Sequence, residues 1–337
     1  MDSNSTFMVC TRCMTFNHHA YIEDAMDGFC MQETNFPFVC VIVDDSSTDG
    51  GAEVIKQYFD AHFDQSENGE TDDYVMTFGQ HKENKNCYFA VLYLKYNHYS
   101  IKKSKVPYYS RWQDDCKYIA VCEGDDYWIV KDKLQKQVEF LEENEEYGMC
   151  YTKVKNFVQK NKTFQKKTGG ERLEGFEHAV KYNPRIHMLT VCFRKTIYDR
   201  YIEEIKPSTR NWRLGDSPLI FYFAHESKIK FFDEYISGVY RILENSASHT
   251  KDWNKLKKFA QSICDVQMFF ASKYNIRDVE PIYILYYFET NNRIECKKIN
   301  SKNLPFKFKL ISFCSKSSIL WNLLNSVVWC KSKLIKI

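Results

Sequence analysis

The chain of 337 residues is long enough for one large domain, or for a core with a smaller appendage. Hydrophobic residues make up 44% and aromatic residues 16%, which excludes a disordered chain. The thirteen cysteines show no compact, even spacing, so we expect buried thiols in a reducing compartment. Neither a basic-then-apolar leader nor a run of about 18 apolar residues is apparent, and we expect a cytoplasmic protein.

The net charge of +3 combines two unlike parts of the chain. Residues Lys297 to Ile337 contain nine lysines and no acid, a charge of +9 that leaves −6 for the rest. Because the positive charge does not lie on the main body, the chain is a poor candidate for binding nucleic acid, and we expect no such partner.

The first 60 residues alternate between strand and helix patterns. Residues 7–16 predict a strand, and we expect the side chain of Asn17 to cap the following helix. The apolar run Phe38–Val43 is typical of a strand buried on both faces, and residues 54–59 give a second helical face. This order indicates a doubly wound α/β sheet. The first helix shows one apolar stripe, formed by Ile22, Ala25, Met26, Phe29 and Cys30.

Further along, the pattern is less regular. Residues 60–87 are polar and predict an irregular insertion between elements. We expect strands at 88–94, 118–122, 187–194 and 228–242, and helices at 134–144 and 196–205. The remainder of the chain is predicted to be mostly helical.

Two acidic clusters follow apolar strands, and they are the strongest local signal for chemistry. Asp44 and Asp45 end one strand, and the segment from Glu123 to Asp126 ends another. In open α/β sheets, ligands bind beyond these carboxyl ends. Like charges placed there repel unless a cation intervenes, and Mg²⁺ or Mn²⁺ held by one or two carboxylates and substrate phosphates fits the pattern. The alternative is that the Asp44–Asp45 cluster only caps turns and helices.

Several segments resemble, in the correct order, the motifs of the inverting family 2 glycosyltransferases. The opening segment MTFNHHAYIEDAM is similar to the family's "PTYN…YI..A", and VIVDDSSTDGG is similar to its "VVDDGSTDGT". YIAVCEGDDYW followed by KLQKQVEFLE resembles the family's metal-binding segment. MLTVCFRK, LGDSPL and GVYRILENSASH resemble its acceptor-side strand, its "GDWPL" and its closing segment.

The resemblance implies a GT-A fold over residues 1–250, with one Rossmann-like mixed sheet and flanking helices. Residues 1–150 would form the nucleotide-sugar half and 151–250 the acceptor half, followed by a basic helical extension over 251–337. The implied activity is metal-dependent transfer of a sugar from a UDP-, GDP- or dTDP-sugar to a glycan or lipid-linked acceptor. The implied pathway is synthesis of a capsule, O-antigen or exopolysaccharide.

Carried over position by position, the resemblance assigns roles to individual residues. Asp216 would be the general base, Asp126 would hold Mn²⁺ or Mg²⁺, and His249 could reach the metal. Glu123 replaces the first Asp of the family's metal motif, and Met14 replaces its Pro. The residues implied to bind the nucleotide-sugar are Thr15, Phe16, Asn17, Asp45, Asp125 and Arg241.

Other interpretations of the site stay open. Asp216 also suits the N-cap of a helix before Ser217 and Pro218. A sugar nucleotidyltransferase would place carboxylates and a cation beside a nucleotide too, but residues 14–19 lack the Gly-rich basic loop it would need. A non-catalytic module that binds a nucleotide-sugar or a glycan is the third reading.

The end of the chain suggests contact with a membrane. Leu320, Leu323, Leu324, Val327 and Val328 form a helical apolar stripe, and lysines follow it. A helix with Trp and Lys beside such a stripe is suited to the anionic surface on the inner face of the cytoplasmic membrane. The alternative is a helix that packs back on the body.

Overall fold

The computed structural model describes residues 7–244, 253–277, 279 and 306–324. The chain divides into two compact units. The first comprises Met1–Leu173, Pro184–Ser208 and Tyr222–His249, and the second comprises Glu174–Asn183, Thr209–Phe221 and Thr250–Ile337. The predicted domain boundary at residue 250 lies outside the described residues and stays a prediction.

The first unit is built on one mixed sheet, as predicted. Its strands are β1 (Val9–Thr15), β2 (Phe38–Asp44), β3 (Phe63–Glu70), β4 (Tyr74–His81), β5 (Cys87–Leu94), β6 (Tyr118–Val121), β7 (Tyr127–Trp128), β8 (Tyr147–Val158), β9 (Thr163–Phe164), β10 (Cys192–Arg194) and β11 (Lys228–Ile242). The spatial order is β3-β4-β5-β2-β1-β6-β10-β8-β11-β7, and β9 pairs with β8.

Helices cover both faces of this sheet. Over both units, the described residues form the helices α1 (Ile22–Cys30), α2 (Gly51–His62), α3 (Pro107–Gln113), α4 (Lys133–Glu143), α5 (Phe176–Tyr182), α6 (Lys195–Ile205), α7 (Asp216–Glu226), α8 (Trp253–Lys273) and α9 (Phe306–Ser315), of which α5, α8 and α9 belong to the second unit. Apolar side chains of α1, α2 and α4 join one core cluster with the sheet, and those of α3 join a cluster on the other face. The predicted α/β class with flanking helices is therefore confirmed.

The centre of the sheet is parallel, and this arrangement positions the acidic residues. Strands β5, β2, β1 and β6 run parallel, with Thr15 opposite Asp44. All seven residues of β2 are buried, as its continuous apolar run predicts. Because the strands are parallel, the segments after β1, β2 and β6 begin at the same edge.

Two predictions of secondary structure were wrong. Residues 60–87 are not irregular, because β3 and β4 form an antiparallel hairpin that extends the sheet beyond β5. The segment 187–194 is not one strand, since residues Met188–Thr190 form a 3₁₀ turn before β10.

The second unit is helical in the part that the structure describes. Phe176 of α5 contacts the rings of Phe270 and Tyr274 in α8, and Gln267 donates a hydrogen bond to the carbonyl of Val180 (2.8 Å). Among the described residues, no helix combines the length and the hydropathy required to span a bilayer.

The β3–β4 hairpin should contribute to the stability of the first unit through Phe63. This side chain is 3% exposed, and its ring stacks on Phe89 with centroids 4.2 Å apart. We expect Phe63→Ala to lower the free energy of unfolding by about 3–5 kcal/mol, because it removes a buried aromatic ring. Urea denaturation followed by circular dichroism measures this. Phe164→Ala, at a ring that is 54% exposed, is the control, and an equal loss in both variants would contradict the prediction.

Candidate functional site

The segment after β6 brings two aspartates to the carboxyl edge of the sheet. Asp125 is half-buried, and Asp126 is 6% exposed. Gly124 allows the turn to pack closely, because a Cβ there would lie 2.8 Å from Oγ1 of Thr15. The backbone N–H of Gly124 donates to the carbonyl of Met14 (2.9 Å), which fixes the turn to the end of β1.

A residue of β11 holds Asp126 from the other side. The backbone N–H of Arg241 donates to Oδ1 of Asp126 (2.7 Å), and its guanidinium donates to the carbonyl of Asp125 (2.9 Å). Burial raises the pKa of Asp126 well above its usual range, and the negative charge of Asp125 raises it further. A cation placed here would relieve both effects.

Arg241 is itself enclosed by the site. It is 6% exposed, pairs with Asp24, and has the rings of Tyr21 and Tyr127 at 5.1 and 4.5 Å. Its Nε is buried without a hydrogen-bond partner among the described residues. The structure thus shows Arg241 fixing the aspartate turn, and its contact with a nucleotide-sugar stays a prediction.

The segment after β1 joins the segment after β2. Thr15 is 2% exposed at the end of β1, whereas Phe16 is 42% exposed. Asn17 adopts a left-handed conformation (φ 56°), and its Oδ1 accepts the backbone N–H of Thr48 (2.8 Å). Asn17 therefore does not cap α1 as predicted, since α1 begins at Ile22 without a side-chain cap.

Asp45 is almost fully buried and holds a neighbouring loop. It is 1% exposed, and its carboxylate accepts the backbone N–H groups of His98 (2.7 Å) and Tyr99 (3.1 Å). The ammonium group of Lys105 lies 2.7 Å from Oδ2. Both carboxylate oxygens thus have partners in the protein. The contact with a base or ribose that the sequence predicts for Asp45 stays a prediction.

His18, which the sequence favours as a capping or surface residue rather than a ligand, lies beside the aspartate turn. Its Nε2 lies 4.0 Å from Oδ2 of Asp125, and its Nδ1 is buried without a partner among the described residues. Burial lowers the pKa of the imidazole, which favours the neutral form. The sequence signal was the pair of histidines that follows β1, a position where polar side chains face the site.

The two other residues predicted for chemistry lie elsewhere in the chain. Asp216 is the first residue of α7 and belongs to the second unit. Water reaches its side chain, yet partial loss of solvation raises its pKa to about 6. His249 lies outside the described residues.

No complete metal site is preformed in the part of the chain that the structure describes. No three His, Cys, Asp or Glu side chains come close enough together there to hold an ion. A separate cavity of about 750 Å³ lies against α2 and the β3–β4 hairpin, and none of the predicted site residues lines it.

Comparisons with known proteins give limited similarity. No protein-family model matches the chain. Uncharacterized proteins of Mycobacterium bovis and Mycobacterium tuberculosis are 27% identical over 147 residues, which cover 42% of this chain. The chain spans about a third of the length of these relatives, since the match covers 34% of each.

Solved structures are similar to the chain at low sequence identity and with TM-scores below 0.5. Staphylococcus aureus TarS 1–349 in complex with UDP-GlcNAc is 13% identical with a TM-score of 0.49, covering 91% of this chain and 79% of that one. The mannosyltransferase PcManGT from Pyrobaculum calidifontis, in complex with GDP-Man and Mn²⁺, is 11% identical with a TM-score of 0.45, covering 96% and 88%. At these scores the similarities do not establish a shared function.

The buried pair of Asp45 and Lys105 should stabilise the first unit. We expect Lys105→Met to lower the free energy of unfolding by roughly 1–3 kcal/mol, because it removes a donor from a buried carboxylate. The control is Lys103→Met, whose more exposed pair with Asp73 should contribute less than about 1 kcal/mol. Urea denaturation of both variants measures the change in the free energy of unfolding. Equal decreases in the two variants would contradict a larger contribution from the Asp45–Lys105 pair.

Proposed function

We propose that the protein is a metal-dependent inverting glycosyltransferase that moves a sugar from a nucleotide-diphospho-sugar to an acceptor hydroxyl. The observation that carries the proposal is the Asp125–Asp126 turn at the carboxyl edge of a parallel sheet, where Asp126 is buried and Arg241 holds both residues. Such an edge is where ligands bind in open α/β sheets. The sequence motifs around the turn support sugar transfer in the synthesis of a capsule, O-antigen or exopolysaccharide.

The residues at this turn fit a divalent cation. Asp126 and Asp125 offer carboxylate oxygens, and His18 offers an imidazole without a hydrogen-bond partner among the described residues. Because no three such side chains converge to hold an ion among the described residues, substrate phosphates would have to complete the site, as they commonly do where Mn²⁺ or Mg²⁺ is held by one or two carboxylates. When bound, the cation supplies positive charge to the departing diphosphate.

The segments after β1 and β2 would bind the nucleotide. Phe16 presents an exposed ring that can stack on a base, and Thr15 and Asn17 flank it. Asn17 and its bond to Thr48 keep the segment close to the end of β2. We propose that Asp45 orients the base or ribose chiefly by holding the loop of His98 and Tyr99 in place.

Asp216 would accept the proton of the attacking hydroxyl. A carboxylate with a pKa of about 6 is ionised at neutral pH and still accepts a proton readily. Attack on the face opposite the leaving diphosphate inverts the anomeric carbon, so one carboxylate is enough. The acceptor we propose is a glycan or a lipid-linked glycan at the inner face of the cytoplasmic membrane.

The pH dependence tests the role of Asp216. With a pKa of about 6, kcat/KM should rise with pH below 6 and level off above it, since the ionised carboxylate is the active form. Asp216→Asn should lower kcat by roughly 10²–10⁴-fold. Release of nucleoside diphosphate measures turnover, and titration calorimetry with UDP or GDP measures binding.

The binding measurement separates the alternatives. Donor binding should survive Asp216→Asn, because the proposed base acts on the acceptor. If the wild-type chain binds nucleotide-sugars but never releases nucleotide with any donor and acceptor, it is a binding module. Full activity of Asp216→Asn would remove this residue from the mechanism.

Metal binding tests the role of His18. We expect His18→Gln to weaken Mn²⁺ binding in the presence of UDP by about 10-fold or more, since a nitrogen ligand is lost. Mg²⁺ binding should change less, because Mg²⁺ prefers oxygen ligands. Titration calorimetry measures both ions.

The adjacent histidine provides the matched control. His19 is exposed, and its backbone N–H donates to Asp49 (2.9 Å). Substitution of the side chain leaves this backbone hydrogen bond in place. His19→Gln should bind Mn²⁺ as the wild type does. Asp126→Asn should weaken both ions, and wild-type behaviour of His18→Gln would exclude the imidazole as a ligand.

A further inference from the structure

The outward face of α9 carries large apolar side chains. Phe306 is 80% exposed, Leu310 38% and Phe313 60%. Their spacing of four and three residues places them on one face of the helix. In the same helix, Ile311 and Cys314 are 6% and 7% exposed and face inward. The helix therefore carries apolar side chains on both sides, and in the part of the chain that the structure describes only one of these sides is buried.

The exposed apolar residues continue after α9. Residues 318–324 are helical, and Trp321 anchors them with 2% exposure. On the exposed side, Ile319 is 71% and Leu323 57% exposed. We call the exposed side chains of Phe306, Leu310, Phe313, Ile319 and Leu323 the extension surface. Large apolar side chains that stay exposed this close together in the sequence mark an interaction site more often than scattered single ones do.

The charge around this surface indicates what covers it. Residues Lys297 to Ile337 contain nine lysines and no acid, and Lys309 and Lys316 are exposed beside the apolar side chains. A second copy of the chain would bring two segments of +9 together and would be repelled. An anionic lipid leaflet attracts basic residues instead, by about 1 kcal/mol for each Lys close to it.

We propose that the extension surface docks on an anionic lipid bilayer. Its apolar side chains enter the boundary between headgroups and acyl chains, and the lysines stay among the headgroups. This mode needs no membrane-spanning helix, in agreement with the described helices. On a membrane the enzyme would lie beside lipid-linked acceptors. This consequence rests on the proposed function, whereas the membrane binding itself does not.

Vesicle cosedimentation of the full chain tests the proposal. We expect binding to vesicles of phosphatidylcholine with phosphatidylglycerol, and little binding to phosphatidylcholine alone. Binding should weaken as salt rises, because the Debye length falls from about 10 Å at 0.1 M to about 3 Å at 1 M.

Variants separate the apolar and the charged contributions. Phe306→Ser combined with Phe313→Ser should weaken binding by roughly 100-fold, since burying each ring is worth about a factor of ten or above. Lys309→Gln combined with Lys316→Gln should weaken binding to the anionic vesicles. The control is Phe164→Ser, at a ring of the first unit that is 54% exposed, and it should bind as the wild type does. Circular dichroism checks that each variant keeps its helices.

Three outcomes would overturn the proposal. The first is that the full chain fails to bind anionic vesicles. The second is that the double Phe variant binds them as tightly as the control does. The third is that light scattering shows a dimer that the double Phe variant dissociates, without vesicle binding, which would assign the surface to a second copy. Because the assay contains neither donor nor acceptor, its result is independent of whether the chain transfers a sugar.

Discussion

The site depends on keeping several carboxylates buried at one edge of a parallel sheet. Asp44, Asp45 and Asp126 are 2%, 1% and 6% exposed. Burial of an ion is unfavourable unless donors surround it, and the three aspartates differ in how well this is met. Asp44 accepts a backbone N–H and a hydroxyl from Ser47, and Asp45 accepts two N–H groups and an ammonium group from Lys105.

Asp126 has the weakest compensation of the three. Its hydrogen bond from the Arg241 backbone opposes the effects of burial and of the Asp125 charge but does not cancel them, and its pKa stays raised. Burial raises the pKa of Asp44 as well, but the pKa of Asp126 lies well above its usual range and Asp125 adds a like charge beside it, so a cation would favour the ionised form most at this turn. This is why a cation has a defined place in the proposed mechanism, and why we do not assign it to Asp44 or Asp45.

Part of this arrangement could be predicted from sequence. The apolar run of β2 and the stripe of α1 have strong periodic signals, and acids that follow parallel strands meet at one edge whatever their sequence separation. The β3–β4 hairpin was not predicted from the sequence because β3 is a polar edge strand with mostly exposed side chains. Its partner β4 does bury Met76 and Phe78 two residues apart, a strand pattern hidden in polar surroundings.

The contacts that define the site could not be predicted in the same way. Asn17 is of a residue type that often caps helices, but its side chain accepts a hydrogen bond from the backbone of Thr48, 31 residues away. Asp126 is held by Arg241, 115 residues later, because β11 pairs with β7 directly after the turn. Local propensity contains no information on such partners, which depend on the assembled sheet.

The sequence also does not show which charged side chains are free to bind a ligand. The basic loop from Lys102 to Arg111 could serve a phosphate by composition alone. In the structure Lys103 pairs with Asp73, Lys105 with Asp45, and Arg111 with Glu67. These three cations are engaged within the first unit, and a diphosphate would have to break existing pairs to recruit them. Three of the four cations of this loop are therefore already paired, and an ion bound at Asp126 would add positive charge for a departing diphosphate without breaking these pairs, in keeping with the proposed metal dependence.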